Sequence, residues 1–293
     1  MIVQKSLPAA ERSENRRNRQ GYDLGCVQMT VELGKGGRSV LAPLFSGFAS
    51  NMYRSCIQGH MGRAWADDAE NPTCGRIMVG DMFFLAGRPD SPAAREMVSE
   101  IPSWFCSEEL YFVPESDRWS SLIESCHKGR CRKIRRYAFI QETAGFDKAK
   151  LAAMAASLPA GYEIRRIDEK WYGEVMKHAW SRDLCSQFES AGDYAGRGIG
   201  FCVIHGGEVV AGASSYALYD DGIEIQIDTR EDHRRKGLAA ACGAALILEC
   251  LKRGLYPGWD AANMASLKLA EKLGYRLKGH YDAWAVRMTQ PGP

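Results

Sequence analysis

The sequence predicts a mixed α/β (α+β) fold, in which the strands of a twisted sheet are flanked by helices and one parallel strand pair splays apart. Ile223–Thr229 alternates apolar and polar residues, and a glycine-containing cationic turn, Arg234–Ala239, then opens a long apolar helix. Gly206-Gly207 separates two strand-like runs, as a two-residue hairpin does. Tyr256–Asp260 reads as a strand, yet Pro257 cannot donate to a ladder and Gly258 weakens pairing.

The elements follow in order. Residues 1–39 carry little apolar periodicity beyond a short strand at Cys26–Leu33, and are expected to form a loosely ordered tail. Residues 40–160 read as an N-terminal α+β domain. Met78–Gly87 looks like one buried strand closed by glycine. Ser91–Ile101 suits a helix with Pro92 at its first position. Trp104–Val113 and Tyr137–Gln141 are expected strands, with a helix at Asp117–Cys126 between them. Phe146–Leu158 is amphipathic and stops at Pro159-Ala160-Gly161, the expected domain boundary.

Residues 161–293 form the second expected domain. Tyr162–Ile167 is a strand, and Trp171–Trp180 and Asp183–Ser190 are helices. Ile199–His205 and Val209–Ala217 make the hairpin, and Ile223–Thr229 follows. The helix Gly237–Arg253 is apolar on almost every side, so it should be buried. Asn263 caps the next helix, which stops at Gly274. Tyr275–His280 and Trp284–Met288 complete the strands.

Composition narrows the function. With 45% hydrophobic and 25% charged residues, the chain is an ordinary globular one, and its net charge of +2 gives no bias toward nucleic acid. No apolar run approaches a membrane span, and the polar Glu11–Arg19 stretch has no signal-peptide core. None of the ten cysteines forms a C-x-x-C pair, so free buried thiols and a cytoplasmic location are expected. The six histidines lack zinc spacing, so no metal is expected.

A strand feeding a glycine-containing turn and a helix N-terminus makes an anion site, because free N–H groups and the helix dipole point the same way. Arg234, Arg235 and Lys236 raise the local potential, and a pyrophosphate suits that turn. On the preceding strand Glu224, Gln226 and Asp228 share the face opposite Ile223, Ile225 and Ile227. Glu224 is a candidate general base there, set against the simpler reading of a polar outer face. If Tyr256–Asp260 lies parallel to Ile223–Thr229, the gap between them admits an extended ligand that pairs with the free strand edge.

These residues add up to a resemblance. Arg234-x-x-Gly237-x-Ala239 resembles the [QR]-x-x-G-x-[GA] acetyl-CoA motif of the GNAT N-acetyltransferase superfamily, and its strand–turn–helix setting matches. Ile225–Thr229, Trp259–Asn263 and Leu269–Tyr275 further resemble the branch containing the zwittermicin A resistance acetyltransferase, as do Gly198–Cys202 and Gly80–Gly87. The similarity runs from about Val40 to Arg287.

The resemblance implies a GNAT fold, with a mostly antiparallel twisted sheet, and acetyl-CoA as co-substrate. Backbone N–H groups from Arg235 through Lys236, Gly237 and Leu238 to Ala239 would hold the coenzyme A pyrophosphate beside Arg234. The pantetheine arm would pair with Ile227 and Thr229, flanking Asp228, and an N–H near Ile227 would face the thioester oxygen. Asn263 and Ser266 would contact the pantetheine or thiol side. Glu224 stands where many family members keep a base. The tyrosine that many members place seven residues after the asparagine is here Ala270, which leaves Tyr281 as the candidate acid.

The implied activity is direct acetyl transfer to a primary amine, expected to be that of a small molecule. A non-catalytic acyl-CoA sensor, motivated by Ala270, is the first alternative. An RNA- or protein-directed acetyltransferase using the cationic run Lys128–Arg136 is the second, against a solvated rim as the simpler reading of that run. His233 is expected at the surface. No membrane partner is expected, and a homodimer stays open.

Overall fold

The computed structural model describes residues 29–288. The first half contributes β1 (Val31–Leu33), α1 (Ala42–Phe45), α2 (Met52–Ile57), β2 (Arg63–Ala66), β3 (Cys74–Val79), β4 (Met82–Gly87), α3 (Pro92–Ser99), β5 (Glu109–Pro114), α4 (Asp117–Cys126) and β6 (Cys131–Phe139). After α5 (Lys148–Ala156) come β7 (Tyr162–Arg166), α6 (Glu169–Met176), α7 (Ala179–Arg182), α8 (Ala191–Arg197), β8 (Gly200–His205), β9 (Glu208–Tyr219) and β10 (Gly222–Thr229). The chain continues through α9 (Leu238–Lys252), β11 (Tyr256–Gly258), β12 (Asp260–Ala261), α10 (Met264–Leu273) and β13 (Leu277–Arg287).

Two sheets result. The larger runs β1-β2-β3-β4-β5-β13-β6-β12 and the smaller β11-β10-β9-β8-β7. Only β4–β5 and β10–β11 are parallel among the described pairs. Strands β12 and β13 come from beyond Pro159 and enter the larger sheet, with β13 lying between β5 and β6. One hydrophobic cluster runs through both sheets, joining Phe45, Met61 and Phe84 to Tyr216, Leu218 and Ile223. Among the described residues no helix is long and apolar enough to cross a membrane.

Local chemistry sets the element ends. Ser91 Oγ accepts from the Ala94 N–H ahead of Pro92, and Asp147, Asp168 and Ser190 cap α5, α6 and α8 in the same way. Asn263 caps α10 through the N–H groups of Ala265 and Ser266, and Gly274 ends it in the left-handed region at φ 112°. The apolar helix α9 is enclosed by β8, β9, β10, α5 and α10, which explains why it lacks a polar face.

Several expected elements differ. The run Met78–Gly87 is two strands, because Gly80-Asp81 forms a hairpin turn with Gly80 at φ 59° and Val79 opposite Met82. The last two expected strands are one, β13, in which Asp282 reads as a turn residue but pairs with Lys133 at 2.7 Å. Asp183–Ser190 forms no regular helix; Ser190 instead opens α8. Strand β5 starts at Glu109, later than expected, while β6 begins at Cys131 and takes up most of the cationic run. Residues 29–39 are ordered rather than tail-like: Glu96 accepts from the Met29 N–H and the Thr30 hydroxyl, and β1 pairs with β2. The earlier tail, including Cys26, lies outside the described residues.

The Gly80-Asp81 turn also ties the sheets together. Tyr216 donates to Asp81 Oδ1 at 3.0 Å and accepts from the Asp81 N–H at 3.3 Å. A Cβ at Gly80 would sit 1.9 Å from the Tyr216 hydroxyl. Gly80→Ala is therefore expected to lose about 2–4 kcal/mol from left-handed strain and overpacking together. Denaturant unfolding checks this; a loss under about 1 kcal/mol would show that the turn relaxes freely.

Candidate active site

The site begins where one extended segment changes sheets. Strand β11 pairs with β10 over Gly222–Glu224 only. After Trp259 the chain joins β6 instead, with Asp260 opposite Ala138. The edge of β10 from Ile225 to Thr229 is thus left without a strand neighbour on that side, while β9 pairs with its other edge to Thr229. Behind the notch lies a cavity of about 750 Å³, walled by β10, the Gly80-Asp81 turn, β6 and the start of α10.

At one end of the cavity is the cationic turn. Arg235 has φ 61° and Gly237 has φ 83°, and Arg235 is the one non-glycine residue at positive φ among the described residues. The N–H groups from Arg235 to Ala239 donate to no protein acceptor among the described residues. Thr229 Oγ1 is buried and unpartnered on the same wall. Free N–H groups beside an orphaned hydroxyl fit a phosphorylated, hydrogen-bonding ligand such as the coenzyme. Arg234 lines the cavity, and its Nε donates to Thr229 O at 3.3 Å. Lys236 turns away, placing Nζ 3.2 Å from both Tyr162 Oη and Asp232 O.

Glu224, Ile227, Asp228, Thr229, Ala239, Asn263 and Ser266 all line the same cavity. The Asn263 Oδ1 and Ser266 Oγ acceptors have protein partners, since Asn263 caps α10 and Trp259 Nε1 donates to Ser266 Oγ at 3.0 Å. Leu238 is buried in the core, and Arg235, Lys236 and Gly237 are not part of the wall. Ala270 faces the core rather than the cavity.

Glu224 is only 4% exposed, so the expectation of a solvated outer face fails. The start of α2 and β11 cover that carboxyl instead: the Asn51 backbone N–H faces it, and Gly258 packs against it. Burial raises the Glu224 carboxyl to about 8, and the neighbouring Asp260 charge pushes the same way. Arg136, Arg54 and the Asn51 backbone N–H oppose the rise. Burial also raises the carboxyls of Asp81 and Asp228, and Asp183 adds to both shifts.

Tyr281 does not line the cavity. Its hydroxyl donates to Asp260 Oδ2, and burial together with the Asp260 charge holds its pKa well above the usual phenol value. It meets the cavity wall through Asp260 and Arg136, whose Oδ1 and Nε lie 2.9 Å apart. The Arg136–Asp260–Tyr281 cluster was not visible as such in the sequence. Arg136 lay inside the cationic run, and only strand alternation separates it from the outward Lys133 and Arg135. The rest of that run is partly neutralised, with Arg132 on Glu109 at 3.0 Å and Lys133 on Asp282. His233, expected at the surface, is 7% exposed because the rings of Tyr162 and His205 cover it.

The family model for GNAT acetyltransferases matches residues 42–284. The chain belongs to the GNAT acetyltransferase family. It is thus an enzyme, an acyltransferase, in a family that uses acetyl-CoA. An uncharacterized N-acetyltransferase of Bacillus subtilis strain 168, YdfB, is 28% identical over 236 residues, 76% of this chain and 85% of the relative. The crystal structure of a GCN5-related N-acetyltransferase-like protein from Streptococcus suis 89/1591 is 38% identical and superposes with a TM-score of 0.79, over 87% of this chain and 100% of that one. A GCN5-related N-acetyltransferase from Sphaerobacter thermophilus shares the fold at a TM-score of 0.51 and 10% identity, over 90% of this chain and 97% of that one.

Two consequences can be measured. In the GNAT fold of this chain Glu224 titrates near 8 rather than 4.5, so the native state holds its proton where the unfolded chain has lost it. Its contribution to stability is full below about 4.5 and is lost as pH rises through about 8. Glu224→Gln should therefore melt with a flatter profile than the parent between about pH 5 and 8; parallel profiles would sink the assignment. Asp260→Asn leaves Arg136 buried without its carboxylate and is expected to cost about 3–5 kcal/mol in chemical unfolding. A neutral result would mean that water reaches the pair.

Proposed function

We propose that the protein is an acetyl-CoA-dependent N-acetyltransferase that acetylates a primary amine of a small molecule by direct transfer. One observation carries the reading: a single cavity holds the unpaired anion-binding turn at one end and the buried, high-pKa carboxyl of Glu224 at the other.

In this reading the N–H groups of Arg235–Ala239 and the Arg234 guanidinium bind the pyrophosphate. The free edge of β10 at Ile227, Asp228 and Thr229 aligns the pantetheine arm as a strand would. Asn263 and Ser266 flank that arm from the start of α10. Coenzyme bound this way presents the thioester carbonyl carbon at the notch.

An alkyl ammonium must lose its proton before it can attack, since only about one molecule in a few thousand is neutral at pH 7. Glu224 accepts that proton, and a group poised near 8 suits the task better than an ordinary carboxylate. The nitrogen lone pair attacks the carbonyl carbon, the carbon–sulfur bond breaks and the thiolate leaves, while the nitrogen's remaining extra proton passes to the thiolate or to water as the amide forms. A thiol with a pKa near 8.5 leaves at neutral pH without full protonation, so Ala270 in place of a tyrosine does not stop turnover. Tyr281 acts behind Asp260, holding the carboxylate that helps set the charge of Glu224.

Release of coenzyme A thiol from acetyl-CoA over a panel of primary amines tests the reading. Glu224→Gln is expected to lower kcat by about 10²- to 10⁴-fold. The parent rate should rise with pH through about 8, as the base ionises. Tight coenzyme binding with no thiol release on any amine would leave a sensor and overturn the enzymatic reading.

A further inference from the structure

The loop bearing the free N–H groups is gripped from the side away from the cavity. Arg230 Nη2 lies 2.8 Å from His233 Nε2. A guanidinium can only donate, so Nε2 accepts and the ring proton sits on Nδ1. Nδ1 then donates to Tyr162 Oη at 3.0 Å. The same hydroxyl accepts from Lys236 Nζ at 3.2 Å, and this ammonium also reaches Asp232 O. Tyr162 stacks on His205 with ring centres 4.2 Å apart, and His205 Nδ1 lies 2.9 Å from Gly161 O. His233 meets the two rings at 5.7 and 5.3 Å.

The grip therefore joins β7 and β8 to the loop at His233 and Lys236, on either side of Arg235. A non-glycine residue in the left-handed region persists only where its surroundings hold it there. We propose that His233 and Tyr162 are positioning residues for coenzyme binding: they hold the turn in the one shape that aims the N–H groups of Arg235–Ala239 into the cavity. The proposal rests on the acetyl-CoA reading above. Neither side chain lines the cavity, so their effect passes through the turn.

The charges around His233 agree with a neutral acceptor. Arg230 and Asp232 from its own loop, Lys236 from the turn and His205 from β8 face it. Burial lowers its pKa, Arg230, Lys236 and His205 add to the fall, and Asp232 opposes it. Loss of the grip leaves the groups that meet the phosphates intact but no longer preorganised, which weakens binding without altering the chemical step.

The test uses the full chain and coenzyme A itself, with calorimetric binding beside steady-state kinetics. Tyr162→Phe removes a single oxygen and His233→Phe both ring nitrogens. Each loses two hydrogen bonds of the grip and is expected to weaken coenzyme A binding and raise KM for acetyl-CoA by about 3- to 10-fold, part of the worth of those bonds, with kcat within about two-fold of the parent. His233→Gln, whose amide both accepts and donates, should restore most of the affinity. Unchanged coenzyme affinity in folded Tyr162→Phe, with or without a lower Tm, overturns the proposal even if His233→Phe fails to fold. A parent protein that binds no coenzyme A would overturn the acetyl-CoA reading itself, a result distinct from an indifferent variant.

Discussion

The structure depends on the change of sheet at Trp259. A five-residue segment gives its first three residues to β10 and its last to β6, so its backbone hydrogen bonds are divided between two ladders. Pro257 and Gly258 make this division cheap, because proline has no N–H to give the ladder and glycine weakens the pairing where it ends. The parting leaves β10 with a bare edge, and an edge that no strand covers must meet water or a ligand. The groups proposed for coenzyme recognition lie along that edge, at the turn beyond it and at the start of α10. Trp259 is itself fixed, by its ring against Tyr275 and its N–H on Ser266, so the parting point has little freedom to slide.

The second constraint is electrostatic. Glu224, Asp260 and Arg136 are all nearly buried, and they come from β10, β12 and β6, on two different sheets. Arg136 balances one of the two carboxylates. Burial keeps Glu224 protonated well above the usual carboxylate range and the second carboxylate pushes the same way, so the contact between the sheets also sets the titration of this carboxyl. The Tyr216–Asp81 bond closes the same wall from the opposite side.

The cationic turn, the capping Asn263 and the splay at Pro257-Gly258 were legible because each depends on local backbone chemistry: a glycine φ, a side-chain cap, a missing donor. The polar face of β10 was legible as a pattern, yet the burial of Glu224 was not, since Asn51 at the start of α2, more than a hundred residues away, helps to cover it. The Gly80-Asp81 hairpin was hidden by apolar residues on both flanks, which read as one strand. Arg136 was masked by its cationic neighbours, and Asp282 by its resemblance to a turn residue. Tyr281 was singled out as a candidate acid yet stands off the cavity, since alternation along β13 gives a face but not what stands between that face and the cavity.

The position of β13 bears on how the chain comes to be folded during synthesis. Strands β5 and β6 are not direct neighbours; each pairs with the last strand of the described chain. The N-terminal half therefore leaves the ribosome with two raw strand edges and an incomplete layer over Trp119 and Phe112, which share a core cluster with Trp284 and Val286. Closure waits for residues separated from their partners by well over a hundred positions, the kind of contact that makes folding slow and leaves sticky edges exposed meanwhile. The cationic outer residues of β6, Lys133 and Arg135, then have a use before the enzyme exists: charge on an open strand discourages pairing with a second nascent chain until Asp282 arrives to meet Lys133.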